Sequence, residues 1–300
     1  MWEEFPKIRS ELTILTTGET IIENELSYGI RVAEMRKSMG KAKQIVKNFT
    51  KYNNLLYELV KKNIKLKYRR SYLGILWTLI EPLLTMIVLT IVFGTFFNKG
   101  TKQFPVYVLT GRLLFSFFQS ATKAGLKSVS GNASMIKKVY VPKYIYVVSS
   151  VVSNFLIFLI SLVVLVGVAV VLKVEPTIYL SQAWIPLIIL FVMSLGTSLI
   201  LATLSVFFRD VEYIWGVACM LVMYASAIFY PVEKIIKSGK GWVFNINPVY
   251  MCIANFRNSV LYGVPMNMQY CVLSAGIAVV LLVIGMVLFY KKQDDFILYL

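Results

Sequence analysis

Histidine is absent from the 300-residue chain, which removes imidazole metal ligands and histidine proton relays. Cysteine occurs three times, as Cys219, Cys252 and Cys271, widely separated and odd in number. That is neither a zinc spacing nor an evident disulfide framework, and small apolar packing residues are what remain. Charge is scarce, at 15% of residues. There is no G-x-x-x-x-G-K-[ST] phosphate loop, no H-E-x-x-H pair and no G-x-S-x-G elbow. Carboxylate pairs such as Glu3/Glu4, Asp210/Glu212 and Asp294/Asp295 fall at predicted segment ends or tails. The chain is not expected to be an enzyme on its own or to bind a metal or cofactor, so any energy must come from a partner or an ion gradient.

What is present is apolar. Hydrophobic residues make up 58% of the chain and mean hydropathy is +0.70, values that describe a protein dissolved mainly in lipid. The net charge of +16 would suit nucleic acid. The basic residues, however, gather beside apolar runs, where membrane lipids and topology account for them, so no nucleic-acid partner is expected. Runs able to cross about 30 Å of hydrocarbon lie near Leu76 to Phe97, Pro105 to Ala124, Ile145 to Leu172, Ile185 to Phe208, Ile214 to Tyr230 and Tyr270 to Tyr290. The first is too far from the N-terminus to read as a cleaved leader. Six crossings put both termini on one side. Lys61 to Arg70, Lys123, Lys127, Lys137, Lys138, Lys143, Arg209, Lys291 and Lys292 on that side outweigh Lys99, Lys102, Lys173, Lys234, Lys237, Lys240 and Arg257 on the other. The positive-inside rule then predicts both termini in the cytoplasm.

Residues 1–48 are an extension that begins acidic and turns basic, with no chemistry of its own to assign. Residues 49–71 are different. At 100° per residue Tyr52, Leu55, Leu56, Leu59 and Leu66 share one face while Lys61, Lys65 and Arg69 point away, which predicts an amphipathic helix lying in the headgroups. The six-span region occupies 72–292, and 293–300 form a tail. Between spans five and six, Val232 to Asn267 mixes apolar patches with Gly239, Gly241, Pro248, Gly263 and Pro265. Short outer-face helices, a re-entrant hairpin or an ordinary loop all fit that pattern. Charges inside the predicted spans are few. Glu81 near the start of the first and Arg112 early in the second either face a polar passage or snorkel to the interface.

Ser71, Leu73, Gly74, Trp77 and Pro82, then Phe207-Phe208-Arg209-Asp210-Val211, then Ile228-Phe229-Tyr230-Pro231 and Asn247-Pro248 together resemble the permease subunit of ATP-binding-cassette exporters of polysaccharides, the group handling O-antigens, capsules and teichoic acids. The likeness spans about residues 50 to 292 and leaves out the N-terminal extension. It implies an all-α fold of six transmembrane helices with short cytoplasmic coupling helices and outer-face gate helices. It also implies a homodimer, two cytoplasmic cassette ATPases that use ATP and Mg²⁺, and a lipid-linked glycan moved across the bacterial cytoplasmic membrane. Under the resemblance Leu55 and Leu59 belong to a lever on which an ATPase sits, and Asn132, Met135, Ile136, Lys137 and Lys138 to a coupling helix; as sequence alone, that loop reads equally as a topology anchor. Arg209, Asp210 and Glu212 form a charged turn that braces two helix ends. Sugars stack on aromatic rings, so Phe97, Phe117, Tyr224 and Tyr230, with Glu81 and Arg112, are the candidates for a substrate passage. A drug or lipid exporter of similar build and a non-transporting scaffold remain alternatives.

Overall fold

The computed structural model describes residues 52–69, 71–97, 103–138, 141–230, 232, 239 and 241–299, with the side chains of 95–97 excepted. The extension 1–48 lies outside them. The chain divides into two units, Met1–Leu55 and Leu56–Leu300; of the first, only the four residues that lead into a helix are described.

Every regular element among the described residues is helical. The helices are α1 (Asn53–Tyr68), α2 (Trp77–Phe97), α3 (Phe104–Ser128), α4 (Ala133–Ile136), α5 (Tyr144–Val171), α6 (Trp184–Phe207), α7 (Val211–Ala225), α8 (Trp242–Ile246), α9 (Pro248–Arg257), α10 (Met268–Lys292) and α11 (Phe296–Tyr299). Four stretches are long and apolar enough to cross a membrane: Gly74–Gly94, Tyr144–Val171, Ile178–Phe207 and Met268–Lys292. α3 has the length, at 25 residues, but its apolar character is broken by Arg112, Gln119, Lys123 and Lys127. α7 has the composition, but at 15 residues it stops short of the expected Tyr230. The chain turns there at Ala227, a non-glycine residue with φ of 46°.

α3 is the central helix, packed against α2, α5, α6 and α9. Helices in lipid gain nothing from hiding apolar surface, so they associate by close packing and by satisfying polar groups. Both devices are present. Pro82 inside α2 has no N–H to give to the Thr78 carbonyl one turn back. The Ser161 hydroxyl of α5 donates to that carbonyl instead, at 3.1 Å, so the break in one helix becomes its attachment to another. α6 and α10 meet at glycines. A Cβ on Gly196 would lie 2.5 Å from the Leu282 nitrogen, and one on Gly285 would lie 2.6 Å from the Gly196 carbonyl oxygen. Gly196→Val is accordingly expected to force the pair apart at a cost of about 3 kcal/mol, read as a lower unfolding temperature in detergent; an unchanged midpoint would show that the helices can part freely.

The two ends of the bundle differ. At one end α1 lies against the start of α5, where the Asn63 amide donates to the Ser149 and Ser153 hydroxyls at 3.5 and 3.3 Å. The C-terminal residues, expected as a plain tail, fold back here. Phe296 is fully buried with its ring edge-on to Phe207 and Phe289, and Lys143 Nζ donates to the Gln293 carbonyl. At the other end the described residues of the stretch 232–267 include the short helices α8 and α9. Asn247 caps α9 by accepting from the Val249 and Tyr250 amides, and its own amide reaches Ser226 Oγ at 2.9 Å. Residues Val249 to Ile253 are buried, so α9 is packed structure rather than open loop.

Candidate functional site

The end that carries α1 also carries the residues that the sequence offers for ATPase coupling. In the loop after α3, Asn132 holds the N-cap position of α4, but its amide turns back to the Ser128 carbonyl at 2.8 Å. The four residues of α4 then divide their roles. Ile136 is 7% exposed and anchors the turn, whereas Met135 is 39% exposed and stands with exposed Lys137 and Lys138. Next to this loop Lys127 at the end of α3 pairs with Glu212 at the start of α7. The bracing expected of Arg209, Asp210 and Glu212 is therefore made by Glu212 with a lysine. Arg209 and Asp210 are exposed and enter no ion pair among the described residues. Both partners of the Lys127–Glu212 pair are more than half exposed, so it is worth about 1 kcal/mol at most.

α1 forms as its apolar periodicity predicts, with a rotated face. Leu59 and Val60 are buried, and Leu66 is exposed. Asn63, a polar residue at the centre of the inward face, decides the roll by its bonds to Ser149 and Ser153. Leu55 lies in the first turn. Leu59 is thus occupied within the chain, and the outward surface of α1 carries its charged residues with Asn53, Asn54, Tyr57 and Leu66.

Glu81, Arg112 and Phe117, three of the residues predicted for a passage, line one cavity of about 150 Å³, together with Lys67 of α1 and Asn154 of α5. Phe117 itself is buried in a ring cluster, stacked on Phe158 at 5.1 Å and edge-on to Phe155 at 5.3 Å. It supports the wall of the cavity more than it offers a surface. Tyr224 and Tyr230 are not part of this group. Exposed Tyr224 lies edge-on to Phe229 at 6.4 Å, its carbonyl accepts from the Tyr230 hydroxyl, and Phe229 stacks on Phe93 of α2 at 5.4 Å. Phe97 closes α2, and its side chain lies outside the described ones. A separate groove of about 550 Å³ runs between α3 and α7, lined by Lys123, Lys127, Tyr213, Trp215, Val217 and Met220.

Sequence reasoning missed Arg257, counting it as a loop cation. It is 2% exposed at the end of α9. Its Nη1 donates to the Ala227 carbonyl at 3.0 Å and its Nη2 to the Tyr107 carbonyl at 2.9 Å. The Tyr107 ring lies 3.5 Å beneath the guanidinium carbon, a cation–π contact. The Tyr107 hydroxyl lies 2.9 Å from both the Ala227 and Tyr230 carbonyls. No carboxylate pairs with Arg257 among the described residues, and a Cβ on Gly111 would stand 2.5 Å from its Nη2. One arginine therefore ties α9, α3 and the turn that ends α7. The available cue was an arginine closing the apolar run VYMCIANF with no acid nearby.

The sequence model of the ABC-2 type transporter family matches residues 54–261, from α1 through the turn that follows α9. This chain belongs to the ABC-2 type transporter family. The family's match thus takes in α1, the α4 loop, the cavity and Arg257 together. Similar proteins carry export names. The O-antigen export system permease protein RfbA of Klebsiella pneumoniae is 30% identical over 254 residues, covering 82% of this chain and 96% of that protein. RfbA of Myxococcus xanthus is 26% identical over 255 residues, covering 84% and 98%. The polysialic acid transport protein KpsM of Escherichia coli is 23% identical over 209 residues, covering 67% and 79%.

Proposed function

We propose that this chain is the membrane-spanning subunit of an exporter that moves a lipid-linked polysaccharide, of the O-antigen, capsule or teichoic-acid type, across the bacterial cytoplasmic membrane. Two copies form the passage. Two cassette ATPases on the cytoplasmic side supply the energy with their own ATP and Mg²⁺, and this chain holds no nucleotide. The observation that carries the reading is the similarity to O-antigen permeases along 96% of the length of one and 98% of another.

In this reading α2, α3, α5, α6, α7 and α10 are the six crossings, and both termini are cytoplasmic. α7 needs less length because the turn at Ser226 to Tyr230 and the re-entrant helices α8 and α9 complete its depth. α1 and the α4 loop face the ATPases, with Met135, Lys137 and Lys138 as the contact and Ile136 as its anchor. Glu81, Arg112, Tyr224 and Tyr230 contribute to the passage, and Phe97 and Phe117 to its walls. Deleting the chain is expected to strip the cell of the surface glycan and leave the lipid-linked form inside; restoring it together with its ATPase returns export. Undiminished glycan export in the deletion strain would remove the reading in favour of another cargo. Failure of the purified chain to bind any cassette ATPase would favour a scaffold.

A further inference from the structure

α3 carries an unusual stripe for an apolar helix. Arg112, Ser116, Gln119 and Ser120 follow one another at spacings of four, three and one, which puts them on one face, and all four line the 150 Å³ cavity. Their donors are unspent. The side chains of Ser116, Gln119 and Ser120 make no hydrogen bond to protein among the described residues, and the one that the Arg112 side chain makes is a 3.9 Å contact to the Met223 sulfur, a weak acceptor. Lys67 of α1 lines the same space, and Glu81 at the mouth is the one carboxylate there, so the cavity keeps an excess positive charge. A half-buried guanidinium in a membrane helix is costly to keep unless something anionic and bidentate answers it.

The dimensions choose among anions. About 150 Å³ is the room of about five water molecules, enough for a phosphate or diphosphate group and too little for a chain of sugars. From the mouth at Glu81 the exposed surface of α2 continues as Leu84, Ile87, Val88 and Ile91, an apolar face on which a hydrocarbon tail lies while its head is held inside. We infer that the cavity between Lys67, Glu81 and Arg112 binds the phosphate ester head of an anionic lipid. The inference rests on the exporter reading, in which that lipid is the carrier of the glycan; the headgroup of an ordinary phospholipid shares the chemistry.

The test uses the full-length chain in phosphatidylcholine nanodiscs, titrated with farnesyl diphosphate. Wild type is expected to bind, Arg112→Gln to bind about tenfold more weakly, and Arg112→Lys to recover part of the loss. Glu81→Gln is expected to bind about threefold more tightly, because it removes a charge of the same sign as the ligand. Opposite signs at two residues of one cavity are not produced by a folding defect. Competition by inorganic pyrophosphate, with none from added phosphatidylglycerol, identifies a diphosphate site; equal competition by phosphatidylglycerol identifies a phospholipid site. Absence of binding to wild type, or the same change in Arg112→Gln and Glu81→Gln, overturns the inference. Glycan export that survives Arg112→Gln at full rate overturns the site alone and leaves the exporter reading standing, whereas a wild-type chain that binds farnesyl diphosphate but supports no glycan export overturns the reading alone.

Discussion

Arg257→Leu is expected to lower stability by roughly 3 kcal/mol, the scale for stripping a charged donor from buried acceptors, and to abolish export. Leucine fills part of the volume and returns none of the bonds. The Ala227 and Tyr107 carbonyls lose their 3.0 and 2.9 Å donors, and the ring of Tyr107 loses its cation at 3.5 Å. The damage concentrates at the turn, because Ala227 holds a left-handed backbone with φ of 46° that its surroundings must enforce. Arg257→Lys keeps the charge but presents it as a point rather than a fork, so it retains one carbonyl at most and is expected to fall between the two. Hydrogen exchange at residues 226–230 and the unfolding temperature in detergent read both effects. Equal stability of all three proteins would show that Arg257 holds nothing.

The second large effect separates two neighbours on α4. Met135→Asp places a charge on the exposed surface proposed to enter the ATPase, so it is expected to cut ATP-dependent export at least about tenfold by burying an unpaired carboxylate in an interface, with the protein present at normal amounts. Ile136→Asp is expected to fail differently. That side chain is 7% exposed, and a carboxylate there destabilises the turn itself, so the amount of protein falls. Export and membrane content measured on the same cells tell the two apart. Normal export in Met135→Asp would remove the α4 loop from the interface; full membrane content in Ile136→Asp would show that the turn tolerates a charge.

The helices of this protein were legible because lipid writes them plainly. Runs such as Tyr144–Val171 and Met268–Lys292 differ from the expected boundaries by one or two residues, since an unbroken apolar stretch leaves little choice. The end of α7 was not legible, for the run of apolar residues continues to Tyr230 while the backbone turns at Ala227. What stops the helix is Arg257, some thirty positions away, together with Tyr107. The roll of α1 failed for a related reason. At 100° per residue Asn63 already falls inside the apolar arc, between Tyr52 and Leu56, but hydropathy alone does not show the two α5 serines whose hydroxyls draw it inward while Leu66 stays exposed. Glu81 and Arg112 stood out as charges in apolar surroundings, and the structure brings them to one cavity. Arg257 has the same signature, but the mixed composition of its segment disguised it as part of a loop.

The contact of Gly196 with Gly285 has a mechanical side. Side chains that interlock can exchange rotamers and let helices slide; backbone resting on backbone has no such freedom. α6 and α10 therefore translate and rotate as one strut. In the exporter reading, opening of the passage is taken up elsewhere, at joints such as the 3₁₀ turn Gly74–Leu76 before α2 and the turn after α7. In that same reading, force applied at α4 would reach the far end of the bundle as rotation about those joints, with little lost to compression along the way.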